Sequence, residues 1–185
     1  FISVGTLQPR KNIARTIEAH RALPDAVRRQ CPLVIIGRAG WRCEDVLQLI
    51  EQESGSGAVR WLQHVPDEDL LPILKQATAL LFPSLAEGFG LPVVEAFAAQ
   101  VPVITSNTTS LPEVAGDAAL QVDPLDVDGL SDAMLSLLND HALASALRQR
   151  GLARAQQFTW QGCAQATVGV YATILGAQAG NRQRP

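Results

Sequence analysis

Short apolar runs that alternate with amphipathic stretches predict an α/β fold, a Rossmann-like three-layer sandwich around a six-stranded parallel sheet. Two further observations support it. The runs are short enough for buried strands, and after the sixth run the pattern turns wholly helical. Phe1–Val4 opens the sheet, and Asn12 stands just before the first amphipathic helix, Asn12–Leu23, where it could cap it. Leu33–Ile36 is the second strand, followed by a helix over Glu44–Glu53 whose Val46, Leu49 and Ile50 share one face. Val59–Leu62 comes third. Asp67, just after Pro66, is the expected cap of a helix over Asp67–Gln76 with Leu70, Ile73 and Leu74 facing inward. Ala79–Phe82 and Val103–Thr105 flank a helix over Pro92–Ala99, and Leu120–Val122 is the last strand. Helices over Leu130–Leu138, Ala142–Gln157 and Trp160 to about Leu175 follow, the last capped by Thr159, to clasp the sheet's flank or cross to a neighbouring domain.

Residues 1–175 thus read as one Rossmann-like domain, and 176–185, small and polar, as a flexible tail. Phe1 falls inside a strand, so the chain reads as a piece of a longer protein. With 47% hydrophobic and 18% charged residues the composition is that of a globular domain and not of a disordered one. Fifteen Lys+Arg against eighteen Asp+Glu give a net charge of −3, so no global field draws nucleic acid or anionic lipid, and any phosphate must be held locally. Cys31, Cys43 and Cys163 contain no CxxC pair and are odd in number, which predicts free, mostly buried thiols in a reducing compartment. No apolar run approaches the ~20 residues that span a bilayer, so a soluble domain is expected.

In an open parallel sheet, ligands bind beyond the carboxyl ends of the strands, which directs attention to the loops there. After strand one, Gly5-Thr6-Leu7-Gln8-Pro9-Arg10-Lys11-Asn12 places two cations immediately before a helix. They suit an anion, although a solvated basic pair would look the same. The loop Gly37-Arg38-Ala39-Gly40-Trp41 permits close backbone approach or is a plain turn. The third loop, from Phe82 through Glu87-Gly88-Phe89-Gly90-Leu91-Pro92 to Glu95, is the most informative. Its amides at Gly88, Phe89, Gly90 and Leu91, with a helix end behind them, form a candidate anion nest. A carboxylate does not sit cheaply against phosphate, so Glu87 and Glu95 should take hydroxyls instead. Phosphate and hydroxyls on one ligand describe a sugar nucleotide. Lys11 and Gly90 at opposite ends of the sheet, or acids consumed in ion pairs, would remove such a pocket.

At these residues the chain resembles the C-terminal, donor-binding domain of the family 4 retaining glycosyltransferases of GT-B fold. Glu87-Gly88-Phe89-Gly90-Leu91-Pro92-Val93-Val94-Glu95 matches the family's E-x7-E motif, and the likeness extends to FISVGTLQPRKN, VIIGRAG, WLQHVPDEDL, VPVITSNTTSLPEVAGDAAL and FTW. The resemblance implies that Glu87 holds donor-sugar hydroxyls and Glu95 the ribose hydroxyls, while the amides of Phe89, Gly90 and Leu91 take the phosphates. Lys11 matches the diphosphate-binding lysine. The family's companion arginine follows the first glycine, where this chain has Thr6, so Arg10 is expected to supply that charge. Gly5 and Gly37 would border the donor, and the nucleobase would rest near His64 and Val65.

The implied activity is sugar transfer with retention, without a metal or other cofactor, the leaving phosphate taking the acceptor's proton. A carbohydrate or lipid-linked acceptor would be held by an N-terminal domain, and this half alone should catalyse little. The Arg10-Lys11-Asn12 opening resembles bacterial polysaccharide mannosyltransferases, which points to GDP-mannose. It implies a cytoplasmic protein, peripheral to the inner face of the membrane when complete.

Asp67-Glu68-Asp69 and Asp126-Val127-Asp128 fit a metal-binding Asp-x-Asp pattern, but both stand at helix starts where capping explains them. His20, His64 and His141 lack ligand spacing, and no Gly-x-Ser-x-Gly or Walker A pattern occurs. A sugar-nucleotide epimerase and a non-catalytic nucleotide-sugar-binding module are the alternatives. Trp41, Trp61 and Trp160 are read as core or interface anchors.

Overall fold

The computed structural model describes residues 1–181, with side chains to residue 175. The sheet comprises β1 (Ile2–Val4), β2 (Leu33–Ile36), β3 (Val59–Leu62), β4 (Leu80–Phe82), β5 (Val103–Ser106) and β6 (Leu120–Val122). All pairings are parallel and the order is β3-β2-β1-β4-β5-β6. This is the doubly wound order in which direction reverses between β1 and β4.

Period-two geometry distributes the apolar runs over two cores. Leu33, Ile35, Leu81 and Ile104 face one side, with α1 (Ile13–Ala22), α3 (Glu44–Ser54) and α7 (Val127–Asn139). Ile36, Leu80, Phe82 and Val103 face the other, with α4 (Asp67–Lys75), α5 (Leu91–Ala98) and α6 (Leu111–Ala115). The predicted three-layer sandwich is the observed one. α8 (His141–Ala155) crosses beneath α5, where Gly151 is needed because a Cβ there would lie 2.8 Å from Phe97 Cδ1.

Several local expectations are corrected. α2 (Asp25–Gln30) and α6 are unpredicted helices. Pro66, not Asp67, is the N-cap of α4, and no side chain caps that helix; Asp67 lies in its first turn. Asp126 does cap α7, accepting from Gly129 N at 2.9 Å, and Thr159 Oγ1 accepts from Gly162 N at 3.0 Å as α9 (Trp160–Asn181) begins. α9 does not clasp the sheet: from Trp160 to Leu175 every side chain is exposed. It runs through part of the stretch expected as a tail, and residues 182–185 lie outside the described residues. Of the tryptophans, Trp61 is half-buried while Trp41 and Trp160 are exposed; of the thiols, Cys43 is buried, Cys31 half-buried and Cys163 exposed.

His20 on α1 is buried, its Nε2 donating to the Cys31 carbonyl at 2.9 Å. Burial is the largest influence and lowers its pKa, with Arg28 adding to the effect and the Cys31 bond and Glu53 opposing it. The unfolded chain therefore binds this proton more readily. Stability contributed by neutral His20 is complete above about pH 6.5 and is lost as pH falls toward the depressed value. The melting temperature should drop between pH 7 and pH 5, and by less in His20→Gln, which keeps a donor without a titrating ring. An equal drop in both proteins would remove His20 as the cause.

Candidate functional site

The reversal of strand order brings together the loops that leave β1 and β4. The first loop descends through a 3-10 turn, Pro9–Lys11, to Asn12 in the left-handed conformation, φ 60° and ψ 32°. Asn12 does not cap α1 with its side chain. Its buried Nδ2 donates to the carbonyls of Pro83 (3.0 Å) and Pro124 (2.6 Å), so it fastens the first loop to the β4 loop and to the loop after β6. Leu85 N donates to Arg10 O at 2.7 Å and completes the seam.

On this seam Lys11 Nζ donates to Glu87 Oε1 at 2.7 Å and Arg10 Nη1 to Glu87 Oε2 at 2.7 Å. Arg10 also reaches the Ala86 carbonyl at 3.3 Å. Lys11 and Glu87 are largely shielded, with side chains 11% and 9% exposed, while Arg10 is 43% exposed. Lys11 Nζ lies 4.4 Å from the centre of the buried Phe82 ring, and a Cβ on Gly5 would come within 3.2 Å of Lys11 Cε. Gly5 thus makes room for the lysine. Gly37 in turn packs on the Gly5 carbonyl, so both glycines act one layer behind the cations.

Burial pushes the Glu87 carboxyl up, but the hydrogen bond and charge of Lys11, the Ser84 hydroxyl and the Arg10 bond outweigh it and leave the pKa below its ordinary value. Ser84 Oγ is buried near the carboxylate and makes no hydrogen bond of ordinary geometry. The unfolded chain binds this proton at higher pH, so the pairing's stability is present above the usual carboxylate range and lost as pH falls through the depressed value.

The amides of Gly88, Phe89 and Gly90 have no acceptor among the described residues, and Leu91 opens α5 one residue before the predicted start. Gly90 is required: at φ 109° its Cβ would lie 2.7 Å from Leu111 Cδ2. Gly88 has open space around it. Glu95 is exposed on α5 and, among the described residues, is unpaired. His64 and Val65 follow β3 at the same edge of the sheet, two strands from β1, or about 10 Å. No hydrogen bond or ion pair joins them to the cations among the described residues.

Lys11 and the glycine loop therefore open to the same end of the sheet. Of the two conditions that would remove the pocket, placement at opposite ends of the sheet is not met, and ion pairing of the acids is met at Glu87 but, among the described residues, not at Glu95. The partners of Glu87 are the two cations expected to hold phosphate, so the pair lies within the expected site.

The loop after β5 was not anticipated as part of the site. Thr109, at φ 56°, accepts from Glu87 N at 3.2 Å through Oγ1, and Ser110 Oγ donates to the carbonyls of Glu87 (2.9 Å) and Phe89 (3.2 Å). A left-handed β-branched residue is rare, and here it braces the glycine loop. The signal was the polar run Ser106-Asn107-Thr108-Thr109-Ser110 directly after a buried strand. Phe89 also meets Phe158 edge-on at 5.5 Å, which ties the loop to the segment entering α9.

Residues 1–154 match the family model described as glycosyl transferases group 1. The chain belongs to that family. This glycosyltransferase domain is 44% identical over 168 residues to the O-antigen chain mannosyltransferase B of Escherichia coli, covering 91% of the chain and 44% of that protein. It is 31% identical over 177 residues to the serotype-specific mannosyltransferase WbdA of Escherichia coli, covering 95% of the chain and 22% of that protein. Among solved structures, a sucrose-phosphate synthase from Thermosynechococcus elongatus superposes with a TM-score of 0.80 at 26% identity, over 95% of this chain and 46% of the other. The glycosyltransferase domain thus spans less than half the length of these proteins. Its sheet and flanking helices have the Rossmann-like architecture of GT-B halves, and the match favours sugar transfer over the epimerase alternative.

Proposed function

We propose that the domain binds the nucleotide-sugar donor of a retaining glycosyltransferase and, with an N-terminal domain, transfers mannose from GDP-mannose to a carbohydrate or lipid-linked acceptor. The observation that carries the reading is the meeting of Lys11 and Arg10 with Glu87 beside amides that have no acceptor among the described residues, at the reversal of strand order. Breaking the bond between sugar and diphosphate leaves negative charge on the departing group, and preorganised donors aimed at that charge supply most of the rate in such reactions. Lys11, Arg10 and the amides of Phe89, Gly90 and Leu91 serve that purpose without a metal. The leaving phosphate then takes the acceptor's proton.

Glu95, exposed and unpaired among the described residues, takes the ribose hydroxyls. Glu87 takes sugar hydroxyls once the phosphate has claimed its cations. His64 and Val65 stand about two strand spacings from the phosphate site, a distance that suits the nucleobase. Gly5 and Gly37 act on the donor through the lysine's seat, one layer behind the cations, rather than by bordering it. The mannosyl assignment follows the names of the relatives.

The exposed α9, with Trp160 82% exposed and Val168, Val170, Tyr171 and Ile174 also in water, supports a crossing to the N-terminal domain. Among the described residues no helix is long and apolar enough to cross a membrane. A peripheral position on the cytoplasmic face suits a lipid-linked acceptor.

Calorimetric titration with GDP-mannose and with UDP and ADP sugars tests the reading. Lys11→Ala removes a charge-assisted bond to phosphate and Glu95→Gln weakens acceptance of ribose hydroxyls. Each should weaken binding of the preferred donor by about 1.5–3 kcal/mol, roughly tenfold to a hundredfold, with an unchanged circular dichroism spectrum. Unaltered affinity in both variants would refute the site.

A further inference from the structure

We infer that Glu87 is a built-in counter-anion that makes this pocket favour the nucleotide sugar over the bare nucleoside diphosphate that transfer releases. The inference rests on the donor-binding reading above. Each carboxylate oxygen has its own cation, Oε1 with Lys11 Nζ and Oε2 with Arg10 Nη1, both at 2.7 Å. Little solvent reaches the Glu87 and Lys11 side chains, so salt screens that pair weakly, whereas Arg10 is exposed and its pair is screened more. Its backbone is held on both sides, N–H to Thr109 Oγ1 and carbonyl to Ser110 Oγ. The acid is therefore braced in place, and the loop is not free to carry it away from an arriving phosphate.

Any phosphate that claims Lys11 and Arg10 must displace this resident anion and then lie beside it. A bare nucleoside diphosphate brings an additional terminal charge and gives the carboxylate nothing in return. Its binding is opposed by like-charge repulsion and by the two ion pairs lost. The sugar ester of the same diphosphate carries less charge and presents hydroxyl donors, which replace the N–H donors that Glu87 gives up. Only ion-pair and hydrogen-bond partners change in this step; the protein makes or breaks no covalent bond. After transfer the hydroxyls leave with the sugar, the terminal phosphate faces Glu87, and the carboxylate reclaims its cations as the nucleotide departs. Glu87 thus works against product retention as well as for donor selection.

The test compares wild type, Glu87→Gln and Glu87→Ala by calorimetry, using GDP, UDP and ADP, the corresponding nucleotide sugars, and inorganic pyrophosphate. Gln is nearly isosteric and Ala leaves no polar group; both remove the charge, and either alone decides. The preferred nucleoside diphosphate and pyrophosphate should bind about tenfold to a hundredfold more tightly to the variants than to wild type, while the nucleotide sugar binds equally or less well. Diphosphate affinity that is unchanged or lower, or a gain shared equally by the nucleotide sugar, overturns the inference and leaves Glu87 as a bracket for the two cations. Wild type that binds neither nucleotide sugars nor diphosphates refutes the donor site itself, a separate result.

Discussion

Gly37→Ala is expected to cost about 3–5 kcal/mol of stability, combining backbone strain with an overlap that has nowhere to relax. At φ 147° the added Cβ would lie 2.1 Å from the Gly5 carbonyl oxygen and 2.6 Å from its carbon. Both chains at that contact are pinned. Gly37 N donates to Leu62 O at 3.0 Å and Gly5 N to Ile36 O at 2.9 Å, while Trp61 Nε1 donates to Gly37 O at 2.8 Å. Separating them means breaking the sheet's hydrogen bonding where β1, β2 and β3 end. For a domain of this size the melting temperature should fall by about 10 °C or more. Since Gly5 also seats Lys11, whatever remains folded should bind donor poorly. A melting point within 2 °C of wild type, about half a kilocalorie, would show that the contact is loose.

Asn12→Ala should be the next most damaging change, at about 3 kcal/mol or more. The buried amide donates to two proline carbonyls on different loops, and truncation leaves both without that donor, at about 1–3 kcal/mol each. Alanine also strains at the left-handed φ of 60° by about 1–2 kcal/mol. Asn12→Gly separates the contributions, since glycine accepts the conformation but makes neither bond. Chemical denaturation should find Asn12→Gly more stable than Asn12→Ala by about 1 kcal/mol and both well below wild type. Equal stability of all three proteins would mean that the amide does not hold the seam.

The architecture was legible where physics acts locally. β2, β3 and β6 coincide with the predicted runs: β2 is apolar throughout, as an inner strand buried on both faces is, while the edge strands β3 and β6 each carry one exposed polar residue, Arg60 and Gln121. α3 and α4 followed from their one-sided apolar spacing. α2 and α6, of six and five residues, are too short to display a helical period. In the site, the glycine loop before α5 and the Arg10-Lys11 pair were visible as unusual chemistry after strands. The bond from Lys11 to Glu87 was not, because it joins residues 76 positions apart and depends on which strands become neighbours. The role of Asn12 is hidden from the sequence for a related reason. A helix cap is a local inference, whereas its actual partners, Pro83 and Pro124, belong to other loops.

The parallel register that sets Ile2 beside Leu80 has a consequence for the order in which the molecule is made. Synthesis delivers β1, β2 and β3 long before β4, so the middle of the sheet waits with β1 open along one side until nearly half the domain has been added. Long-range pairing of this kind is slow, and an unpaired inner strand is prone to stick to its neighbours. A ribosome-bound fragment ending before Leu80 should therefore expose apolar surface to chaperones and hold no donor, while one reaching past α6 can close its own middle.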